Sequence, residues 1–173
     1  MAGYSGKPLA QKLGLKVEGT IAVLDPPENY RELLAPLPDG LRFCEVKDRP
    51  DVIHFFCTEP SRLTKTLPSL RRKMRDDAAL WISWPKKNAG LATTMTEDVV
   101  RELALPLGLV DNKICAVDEA WSAVRLVVRL IHRKSTRTSG LTKGTREKNW
   151  SKNATRRIRM SRALFLFAHL VTT

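Results

Sequence analysis

The sequence predicts a three-layer α/β fold, with a mostly parallel sheet that closes in an antiparallel hairpin and a basic tail behind it. Three observations carry that prediction. Ala78-Ala79-Leu80-Trp81-Ile82-Ser83-Trp84 is an almost unbroken apolar run that stops at Pro85 and two lysines, the pattern of a strand buried on both faces as it leaves a parallel sheet. Strand patterns alternate with helix patterns on either side of it. Near the end, only Asp118-Glu119-Ala120 separates two strand patterns, too short for a parallel crossover, so that pair must be antiparallel.

Taken in order, Lys7-Pro8-Leu9-Ala10-Gln11-Lys12-Leu13 followed by Gly14 suits a two-turn helix, with proline near its start and glycine after its end. Thr20–Leu24 is a compact apolar run ended by Asp25-Pro26-Pro27, the first strand. Tyr30, Leu33, Leu34 and Leu37 recur at helical spacing until Pro36 and Pro38 stop them, and Asp39-Gly40 turns into a second strand over Leu41–Val46. Asp51–Cys57, rich in β-branched and aromatic residues, is the third strand. Leu63, Leu67, Leu70 and Met74 then mark an amphipathic helix that Pro68 should kink or restart. After the 78–88 strand, Thr96 or Thr94 can cap a helix bearing Val99, Val100, Leu103, Ala104 and Leu107. The apolar run around Ile114–Val117 and the stretch Trp121–Leu130 make the closing hairpin, with Val124, Leu126, Val128 and Leu130 on one face.

At 173 residues and 43% hydrophobic, the chain can hold one domain with a sizeable core and a tail. No apolar run reaches the roughly 20 residues that cross a bilayer, and Met1–Gly6 lacks the basic and apolar regions of a secretory signal, so a cytoplasmic location is expected. Cys44, Cys57 and Cys115 are an odd number without a C-x-x-C pair and read as small buried hydrophobes in a reducing compartment. No histidine joins them at metal-ligand spacing, so no metal is expected.

The formal charge of +12 is unevenly placed. Residues 132–173 hold 11 Lys/Arg against Glu147, whereas residues 1–131 hold 19 bases and 17 acids. The body, taken as one domain over residues 1–131, is therefore nearly neutral, which argues against a nucleic-acid-binding face there. The tail, 132–173, combines a Lys/Arg/Ser/Thr-rich stretch, whose composition favours disorder, with Arg156–Arg162 leading into apolar Ala163–Val171. That end could form an amphipathic helix on an anionic membrane or contact nucleic acid without sequence preference; a disordered tail or a reading-frame accident are the plainer readings.

In open parallel sheets ligands bind beyond the carboxyl ends of the strands. Those ends here are Asp25-Pro26-Pro27-Glu28-Asn29, Cys57-Thr58-Glu59-Pro60 and Trp84-Pro85-Lys86-Lys87-Asn88. The first has no glycine to let backbone N–H groups approach a ligand, and its two prolines remove two donors outright. A phosphate cradle is disfavoured there, and no cofactor is expected. Lys86 and Lys87 then become the candidate contacts for a carboxylate or phosphate, with Trp84 as an apolar wall, Ser83 or Asn88 as polar contacts and Asp25 at the neighbouring tip. The alternative for the lysines is an ordinary solvated loop. Neither Asp118-Glu119 nor any Ser, Cys and His set forms a recognisable acid/base or nucleophile motif.

The closing hairpin resembles the class I methyltransferase-like variant of the Rossmann architecture, in which the last strand returns antiparallel. That resemblance implies an alternative function, a divergent S-adenosylmethionine-dependent methyltransferase, and is a likeness of fold alone. Four segments (Met1-Ala2-Gly3-Tyr4-Ser5-Gly6-Lys7-Pro8-Leu9, Trp84-Pro85-Lys86-Lys87, Thr96–Arg101 and Cys115–Ser122) together resemble a bacterial family of unknown function that opens with M-A-G-Y-S-G-x-P-L. The likeness covers residues 1–131 and implies a small Rossmann-like domain without an assigned ligand or catalytic residue. Three functional readings follow: a noncatalytic module taking a small anionic ligand or a protein partner at the strand ends, a divergent methyltransferase, and an adaptor acting through the basic tail.

Overall fold

The computed structural model describes residues 6–133. The expectations about the basic tail fall, from residue 134 on, outside the described residues.

Six strands form one sheet in the order β2-β1-β3-β4-β6-β5: β1 (Thr20–Leu24), β2 (Arg42–Phe43), β3 (Val52–Phe56), β4 (Ala79–Pro85), β5 (Leu109–Ala116) and β6 (Trp121–Val128). The first four are parallel, and β6 runs antiparallel to both β4 and β5. All five residues of β3 and all seven of β4 are buried, because helices cover both faces of the sheet at these strands. On one face Ile53, Phe55, Leu80, Ile82, Trp84, Val124 and Leu126 pack against Leu63, Leu67 and Leu70 of α3 (Pro60–Lys73) and Val100 and Ala104 of α4 (Glu97–Ala104). On the other, Val52, Phe56, Ala79, Trp81 and Ala123 meet Leu9 and Leu13 of α1 (Leu9–Leu13) and Tyr30 of α2 (Tyr30–Leu33). The three-layer α/β prediction with its antiparallel closing pair is what the chain forms.

Several expected boundaries differ. The second strand is two residues long instead of Leu41–Val46. The chain must cross from β2 to β3 past β1, and it uses residues 44–51, including a 3-10 turn at Val46–Asp48, to do so. α2 is a single turn, with Leu37 exposed beyond it and Pro36 and Pro38 blocking extension. α3 continues through Pro68 without restarting: its Leu63, Leu67 and Leu70 face is fixed on the sheet, which outweighs one lost backbone hydrogen bond. β6 ends at Val128, and Leu130, expected on the buried face, lies in a 3-10 turn with 75% of its surface exposed.

The α4 start is where the capping pattern placed it: the Thr96 hydroxyl accepts from Val99 N–H at 3.2 Å. α1 is held at its carbonyl end by two donors from the sheet. Trp81 Nε1 donates to Leu13 O at 3.0 Å, and Lys113 Nζ donates to Lys12 O at 2.7 Å. Gly14 takes the left-handed conformation, φ 78°, that closes the helix.

Candidate functional site

The carboxyl ends of β1, β3 and β4 stand side by side, as the parallel register requires. At the β1 tip, Asp25 adopts a left-handed backbone, φ 51°, which only a few per cent of non-glycine residues do. Its carboxylate is ion-paired with Arg62 on the first turn of α3, so the tips of β1 and β3 are tied together by opposite charges. At the β3 tip, Thr58 O accepts from Thr93 Oγ1 at 2.8 Å, and Met95 is buried. The 86–95 loop therefore folds back over this end of the sheet.

The β4 tip divides the predicted contacts. Ser83 is fully buried, and its hydroxyl lies 2.6 Å from His54 Nε2, so it faces the interior and not a crevice. Trp84 is 8% exposed and belongs to the α3/α4 core. Lys86 Nζ donates to Asp118 O at 2.8 Å and its backbone N–H to Ala120 O at 2.8 Å, which fastens this tip to the β5–β6 turn. Asp118 Oδ1 in turn accepts from the N–H groups of Ala120 and Trp121 at 2.8 and 2.7 Å. Lys87 and Asn88 are exposed. Thus the W-P-K-K and 115–122 segments, distant in sequence, meet at one end of the sheet, but Ser83 and Trp84 serve the interior.

Beneath these tips lies a polar chain that the sequence reading did not single out. Tyr30 Oη is 2.7 Å from His54 Nδ1, and the imidazole's other nitrogen meets Ser83. The three rings of Tyr30, His54 and Phe56 pack together, and Trp121 sits edge-on to Phe56 at 5.1 Å. Burial pushes the His54 pKa down to about 3 and pushes that of the Tyr30 phenol up, so both stay neutral near pH 7. The arrangement has the order of a nucleophile–base–orienter set, yet all three residues are shut off from solvent. It is therefore a structural tie between α2, β3 and β4. The signal for it was one polar residue inside each of two otherwise apolar strands.

No family model matches the chain, and no curated protein does. Solved structures do resemble it. The mitomycin 7-O-methyltransferase MmcR aligns over 64% of this chain and 49% of its own, at 10% identity and a TM-score of 0.50. A SAM-dependent methyltransferase from Aquifex aeolicus aligns over 69% and 88%, at 14% identity and a TM-score of 0.49. Magnesium protoporphyrin IX methyltransferase from Synechocystis PCC 6803 aligns over 69% and 78%, at 12% identity and 0.46. The fold is Rossmann-like and methyltransferase-like. At these identities the likeness is one of architecture alone. Among the described residues no group of three or more His, Cys, Asp or Glu could hold a metal ion, and no helix is long and apolar enough to cross a membrane.

Proposed function

We propose that this methyltransferase-like fold serves as a noncatalytic binding module, with the exposed Lys87 and Asn88 at the β4 tip meeting an anionic group of a small ligand or a protein partner. The observation that supports this reading is the chemistry of the β1 tip. Pro26 and Pro27 present no N–H there, and the Asp25 carboxylate is occupied by Arg62. Nucleotide-binding sheets keep a ribose-binding acid about 20 residues further on. Glu45 holds that place, but its carboxylate pairs with Lys47 at 2.9 Å. The β1 tip lacks the glycines and N–H donors of the usual adenosyl-cofactor cradle, and no methyl-transfer step follows from its residues.

A second reading, a divergent S-adenosylmethionine-dependent methyltransferase, is favoured by the fold neighbours and by the acids at the β1 and β3 tips. Asp25, Glu28 and Glu59 would suit a sulfonium cation better than a phosphate. Calorimetry on the full chain separates the two. Titration with S-adenosylmethionine and with S-adenosylhomocysteine is expected to give no saturable heat. Micromolar binding that Asp25→Ala or Glu28→Ala abolishes would replace the first reading with the second.

A further inference from the structure

The amino ends of the strands carry a feature that the strand-tip reading does not use. A cavity of about 110 Å³ lies there, walled by Leu13, Gly14 and Lys16 after α1, Thr20 of β1, and Arg75 and Arg125. Two acids also border it, and both are engaged. Asp51 accepts from Thr20 N and Oγ1 at 2.9 and 2.8 Å and from Arg75 Nη2 at 2.6 Å. Asp77 accepts from Arg75 Nε at 2.9 Å. Burial opposes ionisation at Asp51, but the Thr20 and Arg75 bonds outweigh it and hold its carboxyl below the usual range. Both acids share Arg75 as their partner, and neither forms an ion pair with the further cation that lines the cavity.

Arg125 is that cation. It is half-buried on β6, its Nε is sealed from solvent, and that Nε has no hydrogen-bond acceptor among the described residues. The sheet register worsens its position: Lys113 stands directly opposite it on β5 and Trp81 opposite it on β4. Like charges paired across strands repel, and Lys113 has turned its ammonium onto Lys12 O, 5.9 Å from the Trp81 ring centroid. The buried Nε is a donor without an acceptor, in a lining where three cations (Lys16, Arg75, Arg125) face two acids, and an anion would supply that acceptor.

We propose that this cavity binds a small oxyanion, of phosphate or short-carboxylate size, held by Arg125 with exposed Lys16 beside it. The volume sets the class. Sites for nucleotides and other drug-sized ligands run to roughly 300–1,000 Å³, so a whole cofactor does not fit, whereas one phosphate or carboxylate group does. The planar fork of arginine matches both groups with paired hydrogen bonds, which lysine cannot reproduce.

The test is binding to the full chain, followed by calorimetry and thermal melting, of sodium phosphate and sodium acetate against sodium chloride at equal ionic strength. A saturable rise in melting temperature above the chloride control is expected for at least one of the two, and whichever responds identifies the source of the oxyanion. Arg125→Gln should weaken it at least tenfold, whereas Lys65→Ala, which removes an exposed cation of α3, should leave it unchanged. No saturable response to either anion would overturn the proposal, as would an equal response in Arg125→Gln or its loss in Lys65→Ala. Should Arg125→Gln not fold, Lys16→Gln is read in its place: a severalfold weakening supports the site, and unchanged affinity refutes it. Loss of the response in Lys87→Ala and not in Arg125→Gln would assign the anion to the strand tips, so the two readings fail separately.

Discussion

Acidification from about pH 7 to about pH 4.5 reaches His54 before it reaches any of the paired carboxylates, and it isolates the buried Tyr30–His54–Ser83 chain energetically. In the folded protein burial holds the imidazole pKa at about 3, against 6.5 ordinarily. The unfolded chain therefore takes up a proton near pH 6.5 that the native state refuses. The contribution is complete about a unit above that value and falls as the pH drops toward about 3, at a slope that reaches about 1.4 kcal/mol per pH unit. Between pH 7 and 4.5 the loss is about 2.5 kcal/mol, a large part of the roughly 5–15 kcal/mol that holds a domain folded. Asp51, Asp77 and Asp111 have their carboxyls held below the ordinary 3.8, so their contributions are present above that pH and fade only beneath it. The two windows barely overlap. Urea melts across this range are the assay, run beside the triple variant Tyr30→Phe/His54→Leu/Ser83→Ala, which removes all the polar atoms together and leaves none unsatisfied. The wild type should lose about 2.5 kcal/mol and the variant little. A wild-type loss under about 1 kcal/mol, or an equal loss in both, would refute a neutral, sequestered imidazole.

Two substitutions probe the parts around it. Thr96→Ala removes the acceptor for Val99 N–H and should cost about 1 kcal/mol in urea melts, with Thr96→Ser restoring it; no loss would mean α4 is held by packing alone. Lys86→Ala should cost about 1 kcal/mol because it frees Asp118 O, while Lys87→Ala should change stability by less than about 0.5 kcal/mol. Equal effects would show that the β4 tip is not fastened through Lys86.

What could be read from the sequence followed from burial. A strand covered on both faces leaves an unalternating apolar run, and β4 was legible almost to its ends for that reason. α3 was legible from the 4-3-4 spacing of Leu63, Leu67, Leu70 and Met74, all of which are buried. β2 was not, because its length depends on a crossover past a neighbouring strand and not on its own residues. The predicted contacts at the β4 tip were legible only as a neighbourhood. Ser83 and Trp84 sit inside the same apolar run, and which face each takes depends on register: Ser83 falls opposite Phe56, next to the His54 ring, and Trp84 falls on the α3/α4 side. Adjacent Lys86 and Lys87 look alike in sequence, yet one reaches a carbonyl 32 residues away and the other reaches solvent.

The distribution of unsatisfied charge decides which end of the sheet is better prepared to hold a ligand. At the carboxyl end Asp25 is matched by Arg62, and Lys86 by Asp118 O, so a ligand there must compete with bonds already made or rely on the fully hydrated Lys87. Exposed groups of that kind gain little from pairing. At the amino end Arg125 Nε is buried and lacks an acceptor among the described residues, so an anion would find an unused donor in a lining of three cations and two acids. Enzymes of open α/β architecture place their ligands at the carboxyl ends of the strands. If phosphate or acetate binding depends on Arg125 and not on Lys87, this chain shares their sheet but uses its other edge, and its fold neighbours are then a poor guide to what it recognises.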